Sequence, residues 1–146
     1  MADRVANAAH PLAVVVVSSA PEVVAWAATR GLACIADPGS LDAAASAGRD
    51  HLRAQGHTRV VVAHGDLPFA QTLAHVSADG ADPVAVFVPS HRDDGTPVLA
   101  IPTDVAFEFA YGRGSFTRHC DQARALGLEV RVVRDPDLSF DVDVPD

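Results

Sequence analysis

Residues 60–62 are three consecutive valines, and Ala63-His64-Gly65-Asp66-Leu67-Pro68 follow them. A β-branched apolar run of this kind reads as a strand buried on both faces. It stops abruptly at a small residue, a carboxylate and a proline. In open α/β sheets, ligands bind beyond the carboxyl ends of the strands. Asp66 therefore stands where a buried strand meets solvent, and Pro68 stiffens the turn behind it. Two readings of Asp66 are open. It can hold a hard cation such as Mg²⁺, which takes oxygen ligands, or it can simply cap the turn that follows.

The rest of the chain alternates around this run. Leu12 to Val17 is a second apolar strand, and Pro21-Glu22 opens a helix over Val23 to Arg30 that Gly31 closes. A short strand over Leu32 to Ala36 precedes a helix from Leu41 to Gln55, ended by Gly56. Strand, helix, strand, helix, strand with short connections predicts a parallel, right-handed α/β sheet with helices on both faces. Beyond Pro68 the pattern predicts a helix near Phe69 to Val76, a strand over Pro83 to Val88 and an extended segment from Pro97 to Ile101. A helix over Phe116 to Leu126 and a late strand over Glu129 to Val133 complete it. No repeat or linker marks a boundary, so the 146 residues read as one domain.

No apolar run approaches the roughly 20 residues of a membrane span, and Met1-Ala2-Asp3-Arg4 lacks the blocks of a signal peptide. The chain reads as soluble and cytoplasmic. Cys34 and Cys120 have neither metal nor redox spacing and read as reduced core residues. The net charge is −8, and all eleven basic residues are arginine. A dispersed acidic chain is poorly suited to nucleic acid.

Several constellations could carry chemistry. Asp141 and Asp143 are two apart in a segment that alternates apolar and acidic residues, which places both carboxylates on one side of an extended chain. The plain reading is an edge strand with a solvated acidic face. The functional one joins the pair to Asp66 as a three-carboxylate Mg²⁺ site for phosphoryl or nucleotidyl transfer. Gly112-Arg113-Gly114-Ser115 ahead of a helix is a candidate anion cradle, with open backbone, N–H groups at the helix start and the Ser115 hydroxyl. The plain alternative is a tight turn with Ser115 as N-cap. Seven histidines make no ligand pattern. His64 falls near the candidate site, His119 lacks a partner at i+4 and reads as structural, and Trp26 reads as core.

With these residues located, the chain resembles the CofC/FbiD family, the phospholactate or phosphoenolpyruvate guanylyltransferases of coenzyme F420 biosynthesis. The likeness rests on Val60 to Pro68, Asp94-Gly95-Thr96, and Phe109-Ala110-Tyr111-Gly112-Arg113-Gly114-Ser115-Phe116 with Arg118-His119. It continues through Val132 to Pro136 and on to Asp141-Val142-Asp143-Val144-Pro145-Asp146. The resemblance implies a Rossmann-like nucleotidyltransferase fold, with a mixed, mostly parallel sheet. It implies transfer of GMP from GTP to phosphoenolpyruvate or 2-phospho-L-lactate, with pyrophosphate released. Asp66, Asp141 and Asp143 would hold Mg²⁺, and Thr96, Gly112 and Ser115 would hold the phosphorylated acid. Leu41-Asp42-Ala43-Ala44 resembles the family's Leu-Asn-Ala-Ala stretch near the nucleotide, with Asp42 in place of the amide. Pro97 replaces a usual asparagine, and Arg113 a usual proline.

The family opens with a strand and a lysine-bearing loop that meets the nucleotide's phosphates, whereas this chain aligns from the second strand onward. In the order 3-2-1-4 that first strand lies between residues 12–17 and 60–63. Two apolar strands are then expected to present unpaired edges to a gap, and the chain is expected to be poorly stable or weakly active. Beside the guanylyltransferase stand two alternatives. One is a non-catalytic remnant that binds the acid or a partner; the other is a nucleotidyltransferase for another acceptor.

Overall fold

The computed structural model describes residues 2–77 and 83–140. A short helix α1 (Ala2–Ala8) leads into strand β1 (Val15–Val17), helix α2 (Pro21–Thr29), β2 (Ala33–Ile35), α3 (Leu41–Ala54) and β3 (Arg59–Ala63). Strands β4 (Val84–Val88) and β5 (Val98–Pro102) follow, then α4 (Ser115–Ala125), β6 (Glu129–Val132) and a single helical turn α5 (Pro136–Ser139). The punctuation read from sequence sets these limits. Pro21 stands in the first turn of α2, where its missing N–H is no loss. Ser40 caps α3 by accepting from the Ala43 amide at 3.1 Å. Gly31 and Gly56 take positive φ just beyond α2 and α3, the left-handed exit that glycine permits.

The strands form two sheets. β1 and β2 pair in parallel, and the other four run in the order β3-β5-β4-β6. β4 and β6 are parallel, while β5 is antiparallel to both its neighbours. The fold is thus α/β with a mixed larger sheet, as the resemblance implies, while the alternation alone predicted a parallel one, and β5 is the reversed strand. Every residue of β4 and β5 is buried. One apolar cluster on one face of the larger sheet gathers Leu67, Leu73, Val86, Val98 and Leu138 with Val5 and Ala8 of α1. The cluster on the other face joins Phe87, Leu99, Ile101 and Phe107 to Leu52 of α3 and Ala123 of α4.

Some readings are corrected. β3 was expected to be buried on both faces, yet only Val60 is buried and its other residues are half-buried. The reason is topological, since β3 is an edge strand and the interior belongs to β4 and β5. The helix expected over Phe69 to Val76 reduces to a 3₁₀ turn, Ala74–Val76. Apolar spacing alone produced that expectation, and Leu67, Ala70, Leu73 and Val76 are indeed buried, the first three in a loop and Val76 in the 3₁₀ turn. Leu138 and Ser139 lie in α5, which Asp135 caps through the Asp137 and Leu138 amides. Trp26 is half-buried and not core, and its indole donates to Asp3 at 2.8 Å.

Among the described residues, β1 pairs only with β2 and β3 only with β5, and both line a cavity of about 910 Å³. Among the described residues, no helix is long and apolar enough to cross a membrane.

Candidate active site

The loop after β4 and the loop before α4 are sewn together by one residue. Asp94 accepts from the Gly114 amide through its carboxylate at 2.8 Å, and from the Phe116 amide through its carbonyl at 3.0 Å. Its own loop is folded by Ser90, whose hydroxyl accepts from the Asp94 and Gly95 amides. Gly112 and Gly114 both have positive φ, so the chain turns sharply into α4 as only glycine does without strain. A Cβ at Gly114 would also sit 3.2 Å from an Arg118 guanidinium nitrogen. Arg118 reaches back from α4 to donate to the carbonyls of Ala110, at 2.8 Å, and of Arg113. This arginine therefore holds the loop's own backbone.

The result is a buried hydroxyl pair. Thr96 Oγ1 and Ser115 Oγ lie 3.0 Å apart, each only 1% exposed. Thr96 Oγ1 also lies 3.0 Å from His119 Nδ1, and the Ala110 amide donates to His119 Nε2 at 2.9 Å. His119 is completely buried beside Phe87, Phe107 and Tyr111. Burial, then the nearby Arg118, push its pKa down to about 4 against the opposite pull of Asp42. The ring is neutral at physiological pH. Burial, with Asp42 adding to it, likewise keeps the Tyr111 phenol protonated well above its ordinary range.

Two further expected residues converge on this loop. Asp42, in the first turn of α3, accepts from the Tyr111 amide at 2.7 Å. His64, one residue past β3, packs its ring 5.4 Å from that of Tyr111. Leu41 is exposed at the start of α3. Asp66 is half-buried and lines the cavity between the sheets. Asp141 and Asp143 lie outside the described residues, and among the described ones no three His, Cys, Asp or Glu side chains gather as a metal site.

The cradle also differs in part from its sequence reading. The N–H groups expected to stand open at the helix start are largely engaged, since the Ser115 amide donates to Gly112 and that of Phe116 to Asp94. The polar groups left at this turn are the buried Thr96 and Ser115 hydroxyls. His119, read as structural, is the buried partner of Thr96. A signal was nevertheless present: Ser115, His119 and Ala123 are four apart, and all three lie on the buried face of α4. A polar pair on the apolar stripe of a helix needs a partner inside.

A family model described as guanylyl transferase, CofC like, matches residues 1–146. The chain belongs to this family. A phosphoenolpyruvate guanylyltransferase of Sphaerobacter thermophilus is 36% identical, over 95% of this chain and 69% of its own length. One from Rubrobacter xylanophilus is 34% identical, over 91% of this chain and 67% of its own. A 3-phospho-D-glycerate guanylyltransferase of Phenylobacterium zucineum is 36% identical over 92 residues, 60% of this chain and 41% of its own. The CofC-like match spans both the end of β3 and the loops that carry the hydroxyl pair, so it is not confined to the scaffold.

Proposed function

We propose that this CofC-like chain transfers GMP from GTP to phosphoenolpyruvate and releases pyrophosphate, in the assembly of coenzyme F420. The observation that carries the reading is the buried Thr96–Ser115 hydroxyl pair at the Gly112–Gly114 turn, in a chain whose relatives act on small phosphorylated acids. Phosphoenolpyruvate is favoured over phosphoglycerate because three relatives named for it match over 91–98% of this chain, whereas a relative named for 3-phospho-D-glycerate matches over 60%.

In this reading an oxygen of the acid's phosphate attacks the α-phosphorus of GTP in line. The bond from that phosphorus to the bridging oxygen breaks, and pyrophosphate leaves. No general base is required, because a phosphate monoester is mostly dianionic near pH 7. Thr96 and Ser115 hold the acid by hydroxyl contacts, and Gly112, without a side chain, lets the backbone come close. Leu41 and Asp42 face the nucleotide from the first turn of α3. Asp66, Asp141 and Asp143 would hold Mg²⁺. Their oxygen donors suit a hard cation, and Asp66 is half-buried, lines a cavity and lies beyond a strand end. When bound, the ion neutralises charge on phosphate oxygens. The protein's own share is positioning and exclusion of water.

The test is pyrophosphate release from GTP and Mg²⁺ with phosphoenolpyruvate, 2-phospho-L-lactate or 3-phospho-D-glycerate. Turnover is expected with phosphoenolpyruvate, and absence of product with all three acids would remove the activity.

A further inference from the structure

The hydrogen-bond polarity of the hydroxyl pair follows from the backbone. The Ala110 amide can only donate, and it points at His119 Nε2, so that nitrogen carries the lone pair. In a neutral imidazole the proton then resides on Nδ1. Nδ1–H donates to Thr96 Oγ1, 3.0 Å away. Thr96 and Ser115 lie 3.0 Å apart and share one hydrogen bond. Two hydroxyl protons are present and one is used between them. Since His119 Nδ1–H is the donor toward Thr96, no hydroxyl proton is spent on the ring, and the pair keeps one to give. With the other tautomer Thr96 would donate to His119 and Ser115 to Thr96, and only lone pairs would face the site.

We infer that His119 is a positioning residue that, through Thr96, makes the Thr96/Ser115 pair present a hydrogen-bond donor to an anionic group of the bound acid. This rests on the acid-binding reading of that pair. The aromatic enclosure by Phe87, Phe107 and Tyr111 holds the ring in register. Arg118 acts in the same sense, because it ties down the Ala110 carbonyl next to the amide that selects the tautomer. A neutral donor in this place suits a carboxylate or phosphate oxygen without adding charge to a buried site, where an uncompensated charge is costly.

Two measurements on the full chain decide the matter. Proton–nitrogen correlation spectra of the wild type should show His119 protonated on Nδ1 at pH 7. Protonation on Nε2, or on both nitrogens, overturns the inference. Calorimetric titration with phosphoenolpyruvate should show His119→Leu binding about 10-fold more weakly, because without Nδ1–H nothing fixes which way the Thr96 hydroxyl points. His119→Asn, whose amide can still donate to Thr96, should stay within a few-fold of wild type. Equal loss in both, with the fold intact by circular dichroism, would show that only packing matters and would overturn it. If His119→Leu does not fold, Thr96→Val serves instead, with Thr96→Ser as the variant that restores binding; undiminished binding by Thr96→Val overturns the inference too. GTP affinity should not move in any of these variants. Guanylyl transfer is read separately: acid binding without pyrophosphate release removes the activity and leaves the relay standing. A wild-type chain that binds neither phosphoenolpyruvate nor 3-phospho-D-glycerate overturns the relay's role toward an anion.

Discussion

An imidazolium at His119 would aim a second N–H at the Ala110 amide and strand a charge among Phe87, Phe107 and Tyr111. The folded state therefore resists protonation there, and burial and Arg118 bring the pKa down to about 4 from 6.5. Between those two values the unfolded chain binds a proton that the folded chain does not. Stability must then rise with pH across the window, complete above about 6.5 and lost as pH falls toward 4. The difference corresponds to about 3 kcal/mol at most. Urea denaturation at pH 7 and near pH 4.5 should show wild type losing more stability than His119→Asn, whose side chain does not titrate. Equal losses would mean that the carboxylates alone set the acid limit.

The strands and helices were legible to different degrees, for reasons that lie in their surroundings. β3 was located because Gly65 and Pro68 stop a valine run, yet its burial was misjudged, since residue type does not say which strand holds the middle of a sheet. β5, which opens after Pro97, took that middle place instead: the Pro97 carbonyl accepts from the His64 amide at 3.0 Å and ends the ladder with β3. The glycines around residues 112–114 announced a loop at a helix start, but not that Asp94 would fill its amides. Long-range pairing of this kind leaves no local mark. The same contrast between the two sheets carries a prediction. β1 and β2 share a ladder of three residues, none of them buried, whereas β4 and β5 are buried throughout. Local opening tracks sparse burial. Amides of β1 and β2 should exchange with solvent deuterium well before those of β4 and β5, at a free energy below that of global unfolding. Uniform protection across both sheets would contradict this.

Between the two sheets the molecule is built as a slot. α1 covers one face and α3 the other, since Val14, Val61 and Ala63 join the cluster with α1 while Val15, Val60 and Val62 join the one with α3. That alternation is the two-sided pleat of strands. The sides of the slot are the outer edges of β1 and β3, whose backbone groups pair with no strand among the described residues. One strand residue occupies roughly 160 Å³ at about 3.3 Å rise, 4.8 Å strand spacing and 10 Å layer spacing. The cavity of about 910 Å³ thus has room for five or six residues of extended chain. Two open, β-branched edges on one molecule are a template for pairing with another. Sedimentation should therefore show association of the chain that grows with concentration. Val16→Lys, which puts a charge on the β1 edge within the slot, should shift that association to several-fold higher concentration. A wild-type chain that stays monomeric up to high micromolar concentration would mean that α1 and α3 already shield both edges.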